Sequence, residues 1–262
     1  QIIDHRSLEL ATYLLKHYPG REVETLQDRS GLFSSEESRK LYLSVIHNLL
    51  DGVVWNPSLS DPNPYFDNRY VEELLPGKTV FAGAFNGRHI KRMIEKSQPV
   101  DLFGFEPNPD FASSTADMFS QNDSVNIFNA LLSDENKKQF FYRDRANRGL
   151  AARVVPENGD DTVVLETVPI DSLDLGGKLR NLILDVEGHE PEVLRGAANT
   201  IKRDRPLLAV CIYHNPHDMI EIVKTLEQEL SNYRFEFLHH SPVTSIESVL
   251  YCLPGELANS NE

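Results

Sequence analysis

Hydrophobic and polar residues along most of this chain alternate between strand-like and helix-like spacing. From Lys78 onward, short apolar runs typical of strands are separated by amphipathic stretches. The pattern predicts core strands over residues 79–84, 101–106, 125–129, 182–186 and 207–213. It predicts a helix over residues 88–96, another that ends at about residue 119, and two more over 192–202 and 218–230. Because parallel strands need long crossover connections, which are usually helices, this order predicts a doubly wound parallel α/β sheet.

Two parts of the chain differ from this α/β pattern. Residues 233–240 and 246–253 have the spacing of two consecutive strands without a helix between them. Such a pair is expected to be antiparallel and to close one edge of the sheet. Residues 139–168 combine aromatic and β-branched runs with an arginine-rich stretch. They predict an irregular or antiparallel insertion.

Two helices and a connector precede the α/β pattern. Apolar residues at helical spacing predict a first helix over residues 2–18. Ser34 and Glu37 form a capping box at the start of a second helix. Three prolines between residues 56 and 64 exclude regular structure there and predict a connector. We therefore expect a helical extension with its connector, residues 1–68, and a Rossmann-like domain, residues 69–262.

The composition argues against several classes of protein. With 26 basic and 40 acidic residues, the formal net charge is −14, which disfavours a nucleic-acid groove or a polybasic membrane surface. The sequence has no apolar run of roughly eighteen residues, the length of a membrane span, and its start does not resemble a signal peptide. Cys211 and Cys252 lie in apolar runs, which favours buried thiols in a reducing compartment. A cytoplasmic globular protein is the resulting expectation.

An acidic segment after a predicted strand is the most informative part of the chain. The predicted strand over 182–186 contains Asp185 near its end, and Glu187 and His189 follow it before a helix begins. In open α/β sheets, ligands bind beyond the carboxyl ends of the strands. On an extended backbone Asp185 and Glu187 point the same way, so two negative charges converge on one small volume. The alternative is a capping role, with Glu190 near the N-terminus of the following helix.

A glycine turn and a further acid predict a nucleoside-binding cleft. The first strand ends in the pattern Gly83-x-x-x-Gly87, and such glycines let a ligand approach the backbone. The spacing differs from the dinucleotide fingerprint, which favours a nucleoside over a pyrophosphate. Glu106 ends the second strand, where it can either accept hydrogen bonds from both ribose hydroxyls or cap the next helix. After the third strand, Ala130 and Leu131 offer an apolar face that suits a purine base or packing in the core.

Histidines and arginines near strand ends add candidates with two interpretations each. The segment His214-Asn215-Pro216-His217-Asp218 contains metal-ligand residue types, but Pro216 prevents a helix that would align the histidines. A capping Asp218 is favoured instead, and no metal site is predicted. Adjacent strand residues face opposite sides, so at most one of His239 and His240 reaches a site. Four arginines could bind an acidic substrate or form a solvated surface: Arg143, Arg145, Arg148 and Arg153.

Several segments together resemble the FkbM-type S-adenosylmethionine-dependent methyltransferases. The most specific is the Asp-x-Glu-Gly-x-Glu run from Asp185 to Glu190, with Leu194-Arg195-Gly196-Ala197 after it. The others are Phe105-Glu106-Pro107-Asn108-Pro109, Val168-Pro169-Ile170-Asp171-Ser172-Leu173, residues 206–214 with Asp218, residues 238–240 with 247–251, and Glu36-Glu37-Ser38-Arg39. The resemblance spans roughly residues 34–253. It implies an α/β class I methyltransferase fold, a Rossmann-like seven-stranded mostly parallel sheet with an antiparallel C-terminal strand pair and an N-terminal helical extension.

The resemblance also implies a cofactor and a reaction. S-adenosylmethionine would methylate a small-molecule acceptor, a hydroxyl of a sugar or a natural product, after a carboxylate or histidine removes its proton. The candidate bases, with Asp185 placed first, are Asp185, Glu187, His189, His214 and His240. The expected contacts with the cofactor are Gly83, Ala84, Phe85, Asn86, Gly87, Glu106, Pro107, Asn108, Asn129, Ala130, Leu131 and Asp185.

One position departs from the family pattern. The family's first motif usually has an acidic residue two positions before its first glycine, whereas this chain has Phe81, which is expected to pack in the core. The departure leaves open a non-catalytic protein of methyltransferase fold that binds a ligand or partner. A nicotinamide-dependent oxidoreductase is favoured by the general sheet pattern alone. The acceptor, the metal dependence and the oligomeric state, a homo-oligomer included, stay open.

Overall fold

A computed structural model describes residues 30–51, 60–97, 100–147, 149, 152–215, 217–241 and 247–258, with Thr12 and Lys16. The first predicted helix lies outside these ranges, except that Thr12 and Lys16 are helical. The helices are α1 (Glu36–Asp51), α2 (Arg88–Lys96), α3 (Pro109–Met118), α4 (Glu190–Gly196), α5 (Ala198–Asp204), α6 (Asp218–Glu229) and α7 (Gly255–Ala258). The strands are β1 (Gly77–Ala82), β2 (Val100–Phe105), β3 (Val125–Phe128), β4 (Leu131–Leu132), β5 (Lys138–Tyr142), β6 (Arg153–Val155), β7 (Thr162–Val168), β8 (Leu179–Leu184), β9 (Leu207–Cys211), β10 (Tyr233–His239) and β11 (Ser248–Pro254).

Seven of these strands form the main sheet, in the order β10-β11-β9-β8-β1-β2-β3. Strand β1 pairs in parallel with β2 and with β8, and β2 pairs in parallel with β3. Strand β11 runs antiparallel to both β10 and β9. The prediction of a mostly parallel seven-stranded sheet with an antiparallel C-terminal pair is therefore confirmed.

The two central parallel strands are buried along almost their whole length. In β1 the run from Thr79 to Ala82 is buried, and in β8 the run from Asn181 to Leu184 is buried. Strands covered on both faces have near-continuous apolar sequences, which explains why these stretches lack alternation. The buried Asn181 is satisfied, because its side chain bonds to the backbone of Leu75 and to Thr79. These rigid strands hold the loops that carry the candidate site.

The predicted insertion forms a second sheet of four strands in the order β4-β7-β5-β6. Strand β5 pairs antiparallel with both β6 and β7, so the antiparallel alternative for residues 139–168 is confirmed. Strand β4, which is Leu131–Leu132, pairs in parallel with the end of β7. The chain therefore leaves the main sheet after β3 and enters this small sheet before returning at β8.

The chain divides into two compact units, one made of Gln1–Glu72 and Leu208–Glu262 and the other of Glu73–Leu207. In the first unit, α1 packs against β10 through a buried carboxylate, Glu236. Its Oε2 accepts hydrogen bonds from the hydroxyls of Ser35 and Ser38, both at 2.6 Å. The rings of Phe33, Tyr42 and Phe237 form an adjacent aromatic cluster. Among the described residues, no helix is long and apolar enough to cross a membrane.

Two helix boundaries differ from the sequence prediction. Helix α1 begins at Glu36, so Ser35 is its N-cap and accepts from the backbone N–H of Ser38 at 3.1 Å; the predicted Ser34 and Glu37 capping box is wrong. Both Ser34 and Ser35 are residue types that favour the N-cap. Ser35 also bonds to Glu236 on the distant strand β10, a contact that the local sequence does not show. The predicted helix over 192–202 is two helices, α4 and α5, which meet at Ala197.

Candidate functional site

The turn after β1 approaches the end of β8 so closely that only glycine fits. Gly83 has φ +89°, and a Cβ there would lie 1.8 Å from the carbonyl oxygen of Asp185. The N–H groups of Gly83 and Ala84 both donate to the carbonyl of Phe105, at 2.9 and 3.0 Å. The N–H of Asp185 donates to Ala82 at 3.0 Å. The ends of β1, β2 and β8 are thus joined at one edge of the sheet.

Glu106, the residue after β2, connects the glycine turn to the following helix. Its carboxylate is 5% exposed. Its Oε2 accepts from the N–H of Phe85 at 2.7 Å, and its Oε1 accepts from the N–H of Asn108 at 2.8 Å. Phe85 has φ 45°, a left-handed conformation that aims its N–H at this carboxylate. Glu106 therefore fixes the loop that the sequence marked as ligand-binding.

Three carboxylates converge near this loop. Burial raises the pKa of Glu106 to about 7, and the charges of Asp185 and Glu187 contribute to the rise, while the two N–H donors oppose it. Glu106 therefore lies within electrostatic reach of the two carboxylates that follow β8.

The loop after β8 reaches this region by a different backbone path from the predicted one. Strand β8 ends at Leu184, and Glu187 and Gly188 have φ values of 54° and 95°. The extended backbone predicted for Asp185 to Glu187 is therefore wrong. The turn is closed from α4, where the buried Glu190 accepts from the N–H of Val186 at 2.9 Å. Glycine at 188 suits this turn because its φ is positive.

The side chains around Asn108 and Asn129 hold the loop after β2. Asn108 is the N-cap of α3: its Oδ1 accepts from Asp110 N–H at 3.0 Å, so the cap belongs to Asn108 and not to Glu106. The Nδ2 of Asn129 donates to the carbonyls of Glu106 and Pro107, at 2.9 and 3.0 Å. The bonds of Asn129 thus hold the backbone of Glu106 and Pro107 at the end of β2.

The remaining predicted contacts lie around the same loops. Asn86 is exposed, and its Oδ1 accepts from the N–H of Arg88 at 3.2 Å. Gly87 has φ +74° and is the residue before α2. Ala130 is partly exposed, whereas Leu131 is buried at the start of β4 and pairs with Thr167. Of the proposed apolar face, only Ala130 is therefore accessible.

His189 is a buried N-cap residue of α4 with two side-chain neighbours. Its Nε2 lies 3.0 Å from Ser133 Oγ, and its Nδ1 lies 3.5 Å from Glu192 Oε2. Burial lowers the pKa of His189. A Cβ on Gly196 would lie 1.9 Å from the carbonyl oxygen of Ser133, so α4 packs tightly against this segment. Sequence reasoning missed Ser133, because its partner follows it by 56 residues and only the small residue at 196 hints at the contact.

His240 and His214 belong to the other unit, and both are buried there. The Nδ1 of His240 lies 2.7 Å from the carbonyl oxygen of Asp61, which requires Nδ1 to donate. Its Nε2 therefore accepts from the hydroxyl of Tyr251, at 2.9 Å. The ring of His214 packs 4.1 Å from that of Tyr213. Both ring nitrogens of His240 therefore make hydrogen bonds within the protein.

The N-cap of α6 is His217, whose side chain makes no cap hydrogen bond, and Asp218 is the first helical residue, so the predicted cap at Asp218 is wrong. The buried carboxylate of Asp218 accepts from the N–H of Asn215 at 2.7 Å. His217 is exposed, and its Nε2 lies 3.7 Å from Asp218 Oδ1. Within the ranges that the structure describes, no group of three or more His, Cys, Asp or Glu side chains is placed to hold a metal ion.

Residues 83–237, which are more than half of the chain, match the family model of the methyltransferase FkbM domain. The chain belongs to the FkbM methyltransferase family. The matched residues contain the glycine turn, Glu106 and the loop after β8. The resemblance noted in the sequence is therefore confirmed. A comparison with curated proteins gave no significant match.

The solved structure of another FkbM methyltransferase supports the fold of this FkbM family member. Methyltransferase FkbM from Methylobacillus flagellatus superposes with a TM-score of 0.73 at 17% identity, covering 95% of this chain and 62% of that one. The chain thus spans less than two thirds of the length of that protein. A putative O-methyltransferase from Klebsiella pneumoniae aligns at 12% identity over 94% of this chain and 96% of its own, with a TM-score of 0.43.

Phe81 replaces the acid of the FkbM family pattern without disturbing the fold. Its side chain is 1% exposed near the end of β1, and its ring meets His89 edge-on with centroids 6.4 Å apart. Glu106 holds the glycine turn through the N–H of Phe85.

Proposed function

We propose that this protein is an S-adenosylmethionine-dependent methyltransferase that methylates a hydroxyl of a sugar or natural-product acceptor. The observation that carries the proposal is the buried Glu106 carboxylate at the end of β2, bonded to the N–H groups of Phe85 and Asn108. It stands next to the turn in which Gly83 lets the end of β1 pack directly against the backbone of Asp185. Membership of the FkbM family supports the same cofactor.

The residues present fit a nucleoside cofactor. Each oxygen of Glu106 accepts one backbone hydrogen bond, and a carboxylate oxygen has two lone pairs, so both can accept from a ribose hydroxyl as well. Gly83 and Ala84 would hold the methionine end against the turn, and Asn129 and Ala130 would border the base. S-adenosylmethionine, when bound, supplies an electrophilic methyl group on its sulfonium.

The carboxylates after β8 suit the acceptor side of the site. Methyl transfer to a hydroxyl needs the acceptor oxygen aligned with the methyl carbon and its proton removed. Asp185 is fixed through its N–H to Ala82 and through its carbonyl against Gly83, so its side chain starts from a rigid backbone. Asp185 is the proposed base, with Glu187 as the second candidate. His189 is proposed to position this loop from its place between Ser133 and Glu192.

Calorimetry with S-adenosylhomocysteine tests the proposal. The wild-type chain should bind it saturably, and Glu106→Ala should weaken binding by about tenfold or more, since charge-assisted hydrogen bonds contribute about 1.5–3 kcal/mol each. Glu166→Ala is the matched control, because Glu166 is an exposed carboxylate on β7. Absence of binding by the wild-type chain would refute the proposed function.

A non-catalytic FkbM domain is the second candidate, and Phe81 is the observation that favours it. The two candidates differ in one measurement. If methyl transfer to an acceptor is detected and Asp185→Ala abolishes it while S-adenosylhomocysteine still binds, the non-catalytic function is excluded. Thermal protection by S-adenosylhomocysteine without protection by NADH would exclude the nicotinamide-dependent alternative.

A further inference from the structure

A polar groove on the small sheet offers a second place for a ligand. It has a volume of about 400 Å³ and lies over β5, β6 and the turn before β7. Sites for small molecules commonly have volumes of about 300–1,000 Å³. The side chains that give the groove its chemistry are Tyr142, Asp144, Arg153, Glu157, Asp160 and Thr162.

The groove combines an aromatic ring with side chains that bind hydroxyl groups. The guanidinium of Arg153 lies over the ring of Tyr142, 5.5 Å from its centroid. The hydroxyl of Tyr142 donates to Asp144 Oδ1 at 3.3 Å, and burial and the charge of Asp144 raise the pKa of Tyr142. The ring therefore stays a neutral phenol. Carboxylates, a guanidinium and a phenol together suit a ligand that carries several hydroxyls.

The charge of the groove is negative, because three of its carboxylates face a single guanidinium. Two neighbouring arginines already pair with acids and do not reverse this balance. Arg143 bonds to Asp161 at 2.9 Å, and Arg145 bonds to Asp110 at 3.2 Å. Arg148, which the sequence grouped with them, lies outside the described residues. An anionic ligand would be repelled.

The wall of the groove is also a support of the Glu106 loop. Asp144 lies in the groove, and the preceding residue, Arg143, accepts through its carbonyl from Asn108 Nδ2 at 3.4 Å. Asn108 in turn donates its N–H to Glu106. On the same segment, a Cβ at Gly149 would lie 3.4 Å from the ring of Phe85. The groove wall and the candidate cofactor loop are therefore linked through Asn108.

From this position and chemistry, we propose that the groove binds the non-reacting, hydroxyl-rich part of the methyl acceptor and selects against anionic acceptors. The expected ligand class is a neutral sugar or an amino sugar. This assignment rests on the proposed function for its link to methyl transfer. Binding of a sugar to the groove can nevertheless be measured without any turnover.

Gly159 provides a way to fill the groove without disturbing the backbone. A Cβ on Gly159 would meet no atom within 4 Å, and its φ is outside the left-handed range. Gly159→Trp should therefore fold and place an indole in the groove. Gly177→Trp is the matched control, because its Cβ would make only an ordinary contact with Lys78, at 3.5 Å, and Gly177 is not among the lining residues.

The probes are methyl α-glucoside, glucosamine and glucuronate, compared by saturation-transfer NMR and titration on the full chain. Wild-type protein should bind the first two and exclude glucuronate. Gly159→Trp should abolish binding, and Gly177→Trp should retain it. Exchanging both exposed acids, Glu157→Lys with Asp160→Lys, should strengthen glucuronate binding by up to about fivefold for each acid.

The outcomes separate the groove from the cofactor site. S-adenosylhomocysteine binding should be the same in wild type and Gly159→Trp, and its complete absence would refute the proposed function while sugar binding still reports on the groove. The groove assignment is overturned if wild type binds none of the three probes, if it prefers glucuronate, or if Gly159→Trp binds sugars as well as wild type does.

Discussion

Ionisation of Glu106 should make the stability of the protein fall with rising pH. Its pKa is raised from the ordinary 4.5 to about 7 in the folded chain. Between these two pH values the folded chain keeps the proton that the unfolded chain has already released. The free energy of unfolding therefore decreases as the pH rises, so the contribution is full below pH 4.5 and is lost above about pH 7.

The size of this effect follows from the difference between the two pKa values. A difference of one in pKa corresponds to about 1.4 kcal/mol, so Glu106 should lower the free energy of unfolding by about 3 kcal/mol across this range. Glu106→Gln removes the ionisation but keeps the shape of the side chain. Urea unfolding of both proteins between about pH 5 and pH 8 gives the two curves to be compared.

The prediction is tested by the difference in the free energy of unfolding between wild type and Glu106→Gln. This difference should change by most of the predicted amount over this pH range, whereas the exposed control Glu166→Gln should show the same pH dependence as wild type. A ribose diol donates to the carboxylate and favours its charged form, so S-adenosylhomocysteine affinity should rise from about pH 5 to pH 7. A difference that is constant with pH, or that changes in the opposite direction, would refute the reasoning.

Backbone packing, capping and thiol burial each give a further test. Gly83→Ala should lower the free energy of unfolding by about 3 kcal/mol in thermal unfolding, because the added Cβ would collide with Asp185. The control Gly177→Ala should stay within about 0.5 kcal/mol of wild type. Equal losses of stability in the two variants would contradict the packing argument. Asp171→Ala should lower the free energy of unfolding by about 1 kcal/mol, since the Asp171 carboxylate accepts from two N–H groups at the start of α5. An unchanged melting temperature would show that these bonds contribute nothing. Burial raises the pKa of the Cys252 thiol, so a disulfide reagent should modify it only as the chain unfolds; fast labelling of folded protein would disprove its burial.

The architecture was predictable because it depends on local patterns. Apolar runs at strand length and amphipathic stretches between them are visible one window at a time, and they gave the parallel sheet, the insertion and the antiparallel pair. Helix α2 has the predicted bounds, Arg88–Lys96, because Ile90 and Met93 share its buried face. Glu106 could be proposed as a candidate for the same reason, since an acid at a strand end next to a glycine turn is a local feature.

Details that depend on distant partners were not predictable. The left-handed turn at Glu187 is fixed by Glu190, and its residues carry no signal against an extended backbone beyond one glycine. His240 has the residue type of a base, yet its nitrogens are occupied by Asp61 and Tyr251, which are distant in sequence or on another strand. Contacts of this kind depend on tertiary packing, which a pattern of residue types does not contain.

The carboxylate of Glu236 has a practical consequence for shortening the chain. It lies on β10 near the end of the sequence, yet two of its hydrogen-bond donors, the hydroxyls of Ser35 and Ser38, belong to α1 near the start. A chain cut after α1 would keep every residue of the family match but would leave this buried charge without those donors, at a cost of about 1–3 kcal/mol for each lost bond. The smallest stable fragment is therefore expected to begin before residue 35, well upstream of the residues by which its family is recognised.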